Sequence, residues 1–352
     1  MKKSFISVVA LILIGLLVAG CAGNNASGSG SGTTPTTPST PNPTTAPAPT
    51  VQPDDAGQPS DAFATSEIVV VVPAAAQGWI AAVHFFAERR GQELLAEGIG
   101  GFRILASQNV AEQAGQLDEL ISQNADVIVL FPHSDELDFA AQAVIDANIP
   151  LFVFNRNVNV DFNSRLLGSN DLIGRESANT IADIIGGEGV VAYISVPAVG
   201  STNVDRLTPF HEVMAGFPNI ELVTMTTTAI SMEEALTVTT DMLTANPRID
   251  AIFTIDDQLS MGALQAIREA RRTDIRAMNG AGGMQAYFDE IATEQDIYLF
   301  TATFSPTMIA DTIDLAVAYL RGQRDFPQIT IIPPEIVTRD NVANFIVPDS
   351  PW

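Results

Sequence analysis

The sequence predicts an α/β protein built as two open parallel-sheet lobes facing each other across a cleft. Three observations carry that reading. Wholly apolar runs such as EIVVVV (67–72) and LFVF (151–154) alternate with helical patterns, and strands apolar on both faces belong to parallel sheets covered by helices. The alternation then restarts after RLLGSND with no long linker, so one architecture is used twice. Finally, the apolar runs end in polar groups: IPLFVFNR closes on Asn155 and Arg156, AIFTIDD on Asp256 and Asp257. Ligands of open α/β sheets bind at the carboxyl ends of the strands. Taken alone, Asn155 could equally start a turn and Arg156 make a surface salt bridge.

The chain opens MKKSFISVVALILIGLLVAGC. Lys2 and Lys3, an apolar stretch from Phe5 to Val18 and small residues before Cys21 make a secretory signal peptide, short beside the ~20 residues of a permanent span. Leu17 to Cys21 resembles a bacterial lipoprotein signal, which implies diacylation of Cys21 and a membrane tether on the extracytoplasmic side. Cys21 is the only cysteine, so no disulfide can form within the chain. Residues 22–65 are Gly/Ser-rich, then Thr/Pro-rich, without apolar periodicity, and read as a disordered spacer. The expected organisation is therefore a signal (1–20), a lipidated Cys with its tether (21–66) and a folded body.

In that body, EIVVVV is followed by WIAAVHFFAERRGQELLAEG (79–98), apolar at helical spacing. A strand (102–108), a helix (112–124), a strand (126–132), a helix (136–148) and the strand IPLFVF complete the first half. The second half reads helix 171–185, strand 190–195, helix 205–215, strand 220–225, helix 231–245, strand 251–256, helix 258–271, strand 274–280, helix 283–293, strand 298–304 and helix 306–321.

The charge balance is strongly acidic, net −24, with 41 acidic against 17 basic residues. Both lysines lie in the leader, so the folded body balances its acids with arginine alone. Such a surface repels nucleic acid and anionic lipid, which excludes a nucleic-acid partner. Enzyme classes find little support. NGAGGMQA lacks the G-x-G-x-x-G spacing of a dinucleotide cradle, and no P-loop is present. His84, His133 and His211 have no metal-motif spacing, and the lone cysteine leaves zinc without soft ligands. Asp256 and Asp257 are adjacent and cannot flank a glycosidic bond as paired carboxylates must. No catalytic residue, metal or cofactor is expected.

ANIPLFVFNR, LLGSNDLIGRESANTIADII, NPRIDAIFTIDDQLSMGALQAI, AMNG and PPEIVTRDNV stand in an order and spacing that resembles the periplasmic sugar-binding proteins of the ribose/galactose type. These are the substrate-binding lipoproteins or periplasmic proteins of ABC importers, and the resemblance covers nearly all of 67–347. It implies the type I periplasmic binding protein fold with a three-segment hinge, placed here near Ser169, Thr303 and Pro333. The N-terminal lobe would then be 67–169 plus 304–333, the C-terminal lobe 170–303 plus 334–347, with 348–352 a tail. It further implies a ligand site. Trp79 matches an aromatic that stacks on a sugar ring, Ile80 replacing its usual second, although a Trp at helical spacing is commonly core. Gln77 matches a polar position on the same loop, or a helix-start turn residue. Asn155 and Arg156 stand where Asp-Arg is frequent, Asp256 where Asn is usual, Asn279 where Asp or Asn contacts ligand, and Phe304 where a polar amide is usual. Asp257 reads as a helix cap. In VPAVGSTNVDRLTPF, Arg206 matches a structural arginine and Val204 falls at the ligand position; a shifted alignment brings Asp205 there instead. The implied function is capture of a small hydroxylated solute, a monosaccharide or sugar-like molecule, for an ABC permease. Sensing for a membrane receptor or kinase is the alternative, and a lipoprotein enzyme a more distant one.

Overall fold

A computed structural model describes residues 61–75 and 78–352; the leader, Cys21, the tether and Gln77 lie outside the described residues. A short helix α1 (Asp61–Thr65) leads into β1 (Glu67–Pro73), α2 (Gly78–Glu97), β2 (Gly101–Ser107), α3 (Val110–Ser122), β3 (Val127–Leu130), α4 (Asp138–Asp146), β4 (Leu151–Phe154) and β5 (Ser164–Gly168). The second series is α5 (Asn170–Ile185), β6 (Glu188–Ser195), α6 (Ser201–Met214), β7 (Asn219–Thr226), α7 (Met232–Ala245), β8 (Ala251–Phe253), α8 (Asp257–Ala270), β9 (Ala277–Gly282), α9 (Gln285–Thr293) and β10 (Tyr298–Thr303). The chain closes with α10 (Met308–Leu320), β11 (Ile329–Ile332) and β12 (Ile336–Val337).

Two six-stranded sheets result. The first has the order β11-β5-β4-β3-β1-β2 with every neighbour parallel. The second repeats the winding as β12-β10-β9-β8-β6-β7, with only β12 antiparallel to its neighbour β10. In each sheet the chain first pairs outward (β1 with β2, β6 with β7) and then turns back past its starting strand. That reversal makes a topological switch point beside β1 and beside β6.

Strand alternation accounts for the covering of both faces. Ile68, Val70 and Val72 of β1 pack with Val83 of α2 and Ile309 and Ile313 of α10. Val69 and Val71 point the other way, onto Leu117 and Leu120 of α3 and Val144 of α4. The second sheet has its own core, in which Ile252 and Phe253 of β8 lie among Phe210 of α6, Leu259 of α8 and Ile291 of α9.

Three passages link the sheets: β5 to α5 at Ser169, β10 to α10 after Thr303, and β11 to β12 through Pro333 and Pro334. Ser169 caps α5, its hydroxyl accepting from the Leu172 N–H at 3.1 Å. Helix α10 returns to the first sheet, where Asp314 meets Arg90 of α2 at 2.8 Å. The structure adds three strands to those expected, β5, β11 and β12, and moves one. The strand expected at 274–280 runs instead from Ala277 to Gly282, which changes the site.

Candidate functional site

The carboxyl ends of strands from both sheets converge on one cavity of about 570 Å³, within the ~300–1,000 Å³ usual for small-molecule sites. Its walls differ in chemistry. One is aromatic. Trp79, at the start of α2, lies parallel to Phe154 at the end of β4, with centroids 5.9 Å apart and an interplanar angle of 9°. Phe131 meets the same indole edge-on at 6.0 Å, and Phe304 lies tilted at 5.6 Å. The Trp79 Nε1–H donates to the Phe304 carbonyl at 2.6 Å, so the indole is held at both its face and its edge. Trp79, Phe131, Ile80 and Phe304 all line the cleft. Trp79 is thus part of the core and part of the cleft wall.

Asn155 and Arg156 form the adjoining polar rim. Asn155 has φ of 60°, a left-handed conformation that asparagine tolerates better than most residues. The turn ends β4 abruptly and sends the next side chain across the cleft mouth. Arg156 Nη1 donates to the His133 carbonyl at 2.7 Å, and its guanidinium lies 5.3 Å from the Phe131 ring centre. The loop it grips is itself pinned by Gln113, fully buried on α3. The Gln113 amide donates to the Phe131 carbonyl at 2.9 Å and accepts from the His133 N–H at 2.8 Å. Arg165 of β5 donates to the Asn155 carbonyl and to the Asn157 side chain.

From the other lobe come Asp256, Asp205 and Arg206. Arg206 is 5% exposed; it donates to Asn170 Oδ1 at 2.8 Å and to the Ile255 carbonyl, and its guanidinium sits 5.2 Å from the Phe304 ring centre. Burial draws its pKa down, an effect that nearby Asp256, Asp257 and Asp205 oppose. Arg156, Arg165 and Arg206 therefore donate to carbonyls and amides, and among the described residues none of the three is ion-paired. In so acidic a chain, that leaves a cluster of cations free to meet acceptor oxygens.

Asp256 caps α8, its Oδ1 accepting from the Gln258 N–H at 2.8 Å. The capping role expected of Asp257 thus belongs to its neighbour. Burial, and after it the Asp257 carboxylate, push Asp256 up to about 7. Asp257 is fully buried and is a staple instead: it accepts from the Gly283 and Met284 N–H groups at 2.6 and 2.7 Å and from the Thr301 hydroxyl at 2.7 Å.

Of the residues expected at the ligand, Trp79, Asn155, Arg156, Asp256 and Phe304 line this one cleft. Asn279 does not. It is fully buried, its Oδ1 accepting from the Thr254 N–H and its amide donating to the Thr254 and Gly280 carbonyls. Because β9 runs on to Gly282, the β9 residues at the cleft are Ala281 and Gly282, and Asn279 ties β9 to β8 inside the sheet. Val204 is 56% exposed and outside the lining, whereas Asp205 and Arg206 both belong to it. The sequence reading missed Phe131, Arg165, Asn170 and Trp352. Phe131 carried a usable signal, since it ends the apolar run VIVLFP.

Comparison with known proteins agrees with this architecture. The family described as "Periplasmic binding protein domain" matches residues 68–324. A xylitol-binding protein of Mycolicibacterium smegmatis is 26% identical over 241 residues, covering 67% of this chain and 68% of its own. A D-apiose import binding protein of Paraburkholderia graminis is 22% identical over 287 residues, 80% of this chain and 89% of its own. Among solved structures, an ABC transporter periplasmic solute binding protein from Actinobacillus succinogenes with bound D-allose superposes with a TM-score of 0.69 at 20% identity, covering 80% of this chain and 100% of that one. The family match runs from β1 through β10 to the end of α10, and the chain belongs to the periplasmic binding protein family.

Proposed function

We propose that the protein captures a small, neutral, hydroxyl-rich solute, a monosaccharide or polyol, and delivers it to an ABC importer. The family is one of extracytoplasmic solute-binding proteins of the ribose/galactose type. The relatives' names point to xylitol and D-apiose. The observation that carries the reading is the pairing, in one cavity, of an aromatic wall with arginines that have no carboxylate partner among the described residues. An aromatic face suits the C–H surface of a sugar, and guanidinium forks suit its hydroxyl oxygens. Asp256 and Asp205 supply acceptors for hydroxyl protons. We assign Trp79, Asn155, Arg156, Asp256 and Phe304 to the solute, with Arg206 and Asp205 added. The lobe boundaries are proposed at Ser169, Thr303 and Pro333, and closure about these passages would bury the solute between contacts from both lobes. No chemistry on the solute is proposed.

A thermal-shift panel of xylitol, D-apiose, D-allose, D-ribose, L-arabinose and myo-inositol tests the reading. A true ligand raises the unfolding temperature by mass action and should compact the protein in small-angle scattering. If every member leaves both measurements unmoved, the hydroxylated-solute assignment fails. We further propose that Cys21 anchors the protein to the membrane through a lipid. Cys21→Ser should release it into the aqueous phase of a detergent partition, and unchanged partitioning would count against the anchor.

A further inference from the structure

The stretch after Val347 turns back onto the cleft. The Val347 N–H donates to Gln285 Oε1 at 2.8 Å, and the Gln285 amide donates to the Phe345 carbonyl at 3.3 Å. This ties the stretch to the start of α9, just after Gly282 and Gly283. Trp352 is then 6% exposed and lines both the cleft and a second cavity of about 350 Å³ behind the hinge.

Two observations give the Trp352 indole a role. First, Gly282 ends β9 with φ of 138°, and a Cβ placed there would lie 3.2 Å from Trp352 Cζ2, 3.3 Å from Asp257 Oδ2 and 3.6 Å from Trp352 Nε1. The indole thus packs on the end of β9, where a side chain would otherwise stand, and it lines the cleft beside Ala281 and Gly282. Second, Trp352 Nε1 is buried with no hydrogen-bond partner among the described residues. The other tryptophan differs, its Nε1–H being satisfied by the Phe304 carbonyl. A buried donor without an acceptor is rare in folded proteins and calls for a partner.

We propose that Trp352 is a solute-contacting residue that determines specificity: its indole forms the cleft floor beside Gly282, and its N–H donates to an oxygen of the bound sugar or polyol. That N–H is buried in this arrangement of the lobes, and the proposed contact requires them to shift about the hinge. The ring also limits how deep a solute can sit. The proposal rests on the solute-binding reading above.

The chain contains two tryptophans, hence two indole N–H cross-peaks in a ¹⁵N-correlated NMR spectrum, assigned through Trp79→Phe and Trp352→Phe separately. The full chain is titrated with xylitol and the other members of the panel, with affinities from calorimetry. The expected result is that the Trp352 cross-peak moves on binding. Trp352→Phe, which keeps an aromatic floor and removes the donor, should weaken that solute about tenfold, the order for one hydrogen bond. Should Trp352→Phe not fold, the cross-peak in the parent chain, assigned through Trp79→Phe, decides the matter. A solute that binds with the Trp352 cross-peak unmoved, or with equal affinity to Trp352→Phe, overturns the proposal and leaves the solute-binding reading standing. A panel in which nothing binds removes both.

Discussion

Arg156→Ala is expected to weaken solute binding by roughly 2–5 kcal/mol, the order seen when one partner of a charged hydrogen bond that becomes buried on binding is truncated. Among the described residues only Nη1 of this guanidinium finds protein acceptors, the carbonyls of His133 and Pro132. Nε and Nη2 are thereby aimed without being used, an anchored fork with free donors. Holding the fork in place before binding spares the solute the entropy of ordering a long side chain. Truncation should cost the fold little, because Arg156 is exposed and the carbonyls it leaves can meet water. Calorimetry beside thermal unfolding separates the two effects. Lost affinity with an unchanged melting temperature is the expected pattern, and undiminished affinity would remove Arg156 from the site. Arg156→Lys keeps the charge but not the planar fork, and should recover only part of the binding.

The fold was legible where burial is complete. Runs like EIVVVV and LFVF are apolar on both faces because each face meets a helix layer, and that requirement is written into every residue. Ser164–Gly168 carries a weak strand signal because its pattern alternates buried with half-buried positions over only five residues. Ile329–Ile332, at the sheet edge, is partly exposed throughout. In the site, the residues just past an apolar strand could be found from the strand itself, as with Asn155, Arg156 and Asp256. The register failed at AMNGAGG. Glycines carry no face preference, so nothing in the sequence shows that β9 continues past Asn279 to Gly282. Trp352 was illegible for another reason: its contact depends on where a late segment returns in space. No local pattern encodes that.

The adjacent acids Asp256 and Asp257 should respond to substitution with opposite signs. Asp257→Ala leaves the Gly283 and Met284 N–H groups and the Thr301 hydroxyl without their acceptor. With three such groups at about 1–3 kcal/mol each, a loss of roughly 3–9 kcal/mol in unfolding free energy is expected. Gly280 fits beneath this carboxylate because it has no Cβ to collide with it, so a larger acid cannot simply replace the aspartate. Asp256 is the reverse case. Its folded-state pKa, about 7, lies above the ordinary 3.8, so between those values the unfolded chain has released a proton that the folded protein still holds. Stability therefore falls as pH rises through this window, and the full cost of the buried charge is reached above pH 7. Asp256→Asn keeps a good helix cap and removes the charge. It should stabilise the protein at pH 8 by roughly 1–3 kcal/mol, with the advantage shrinking toward pH 4, while weakening binding of a solute that needs a carboxylate acceptor. Denaturant titrations of the parent and both variants between pH 4 and 8 read all of this directly. A parent-minus-Asp256→Asn difference that is flat across the range would show that the carboxylate is already well solvated, and a harmless Asp257→Ala would show that the staple is dispensable.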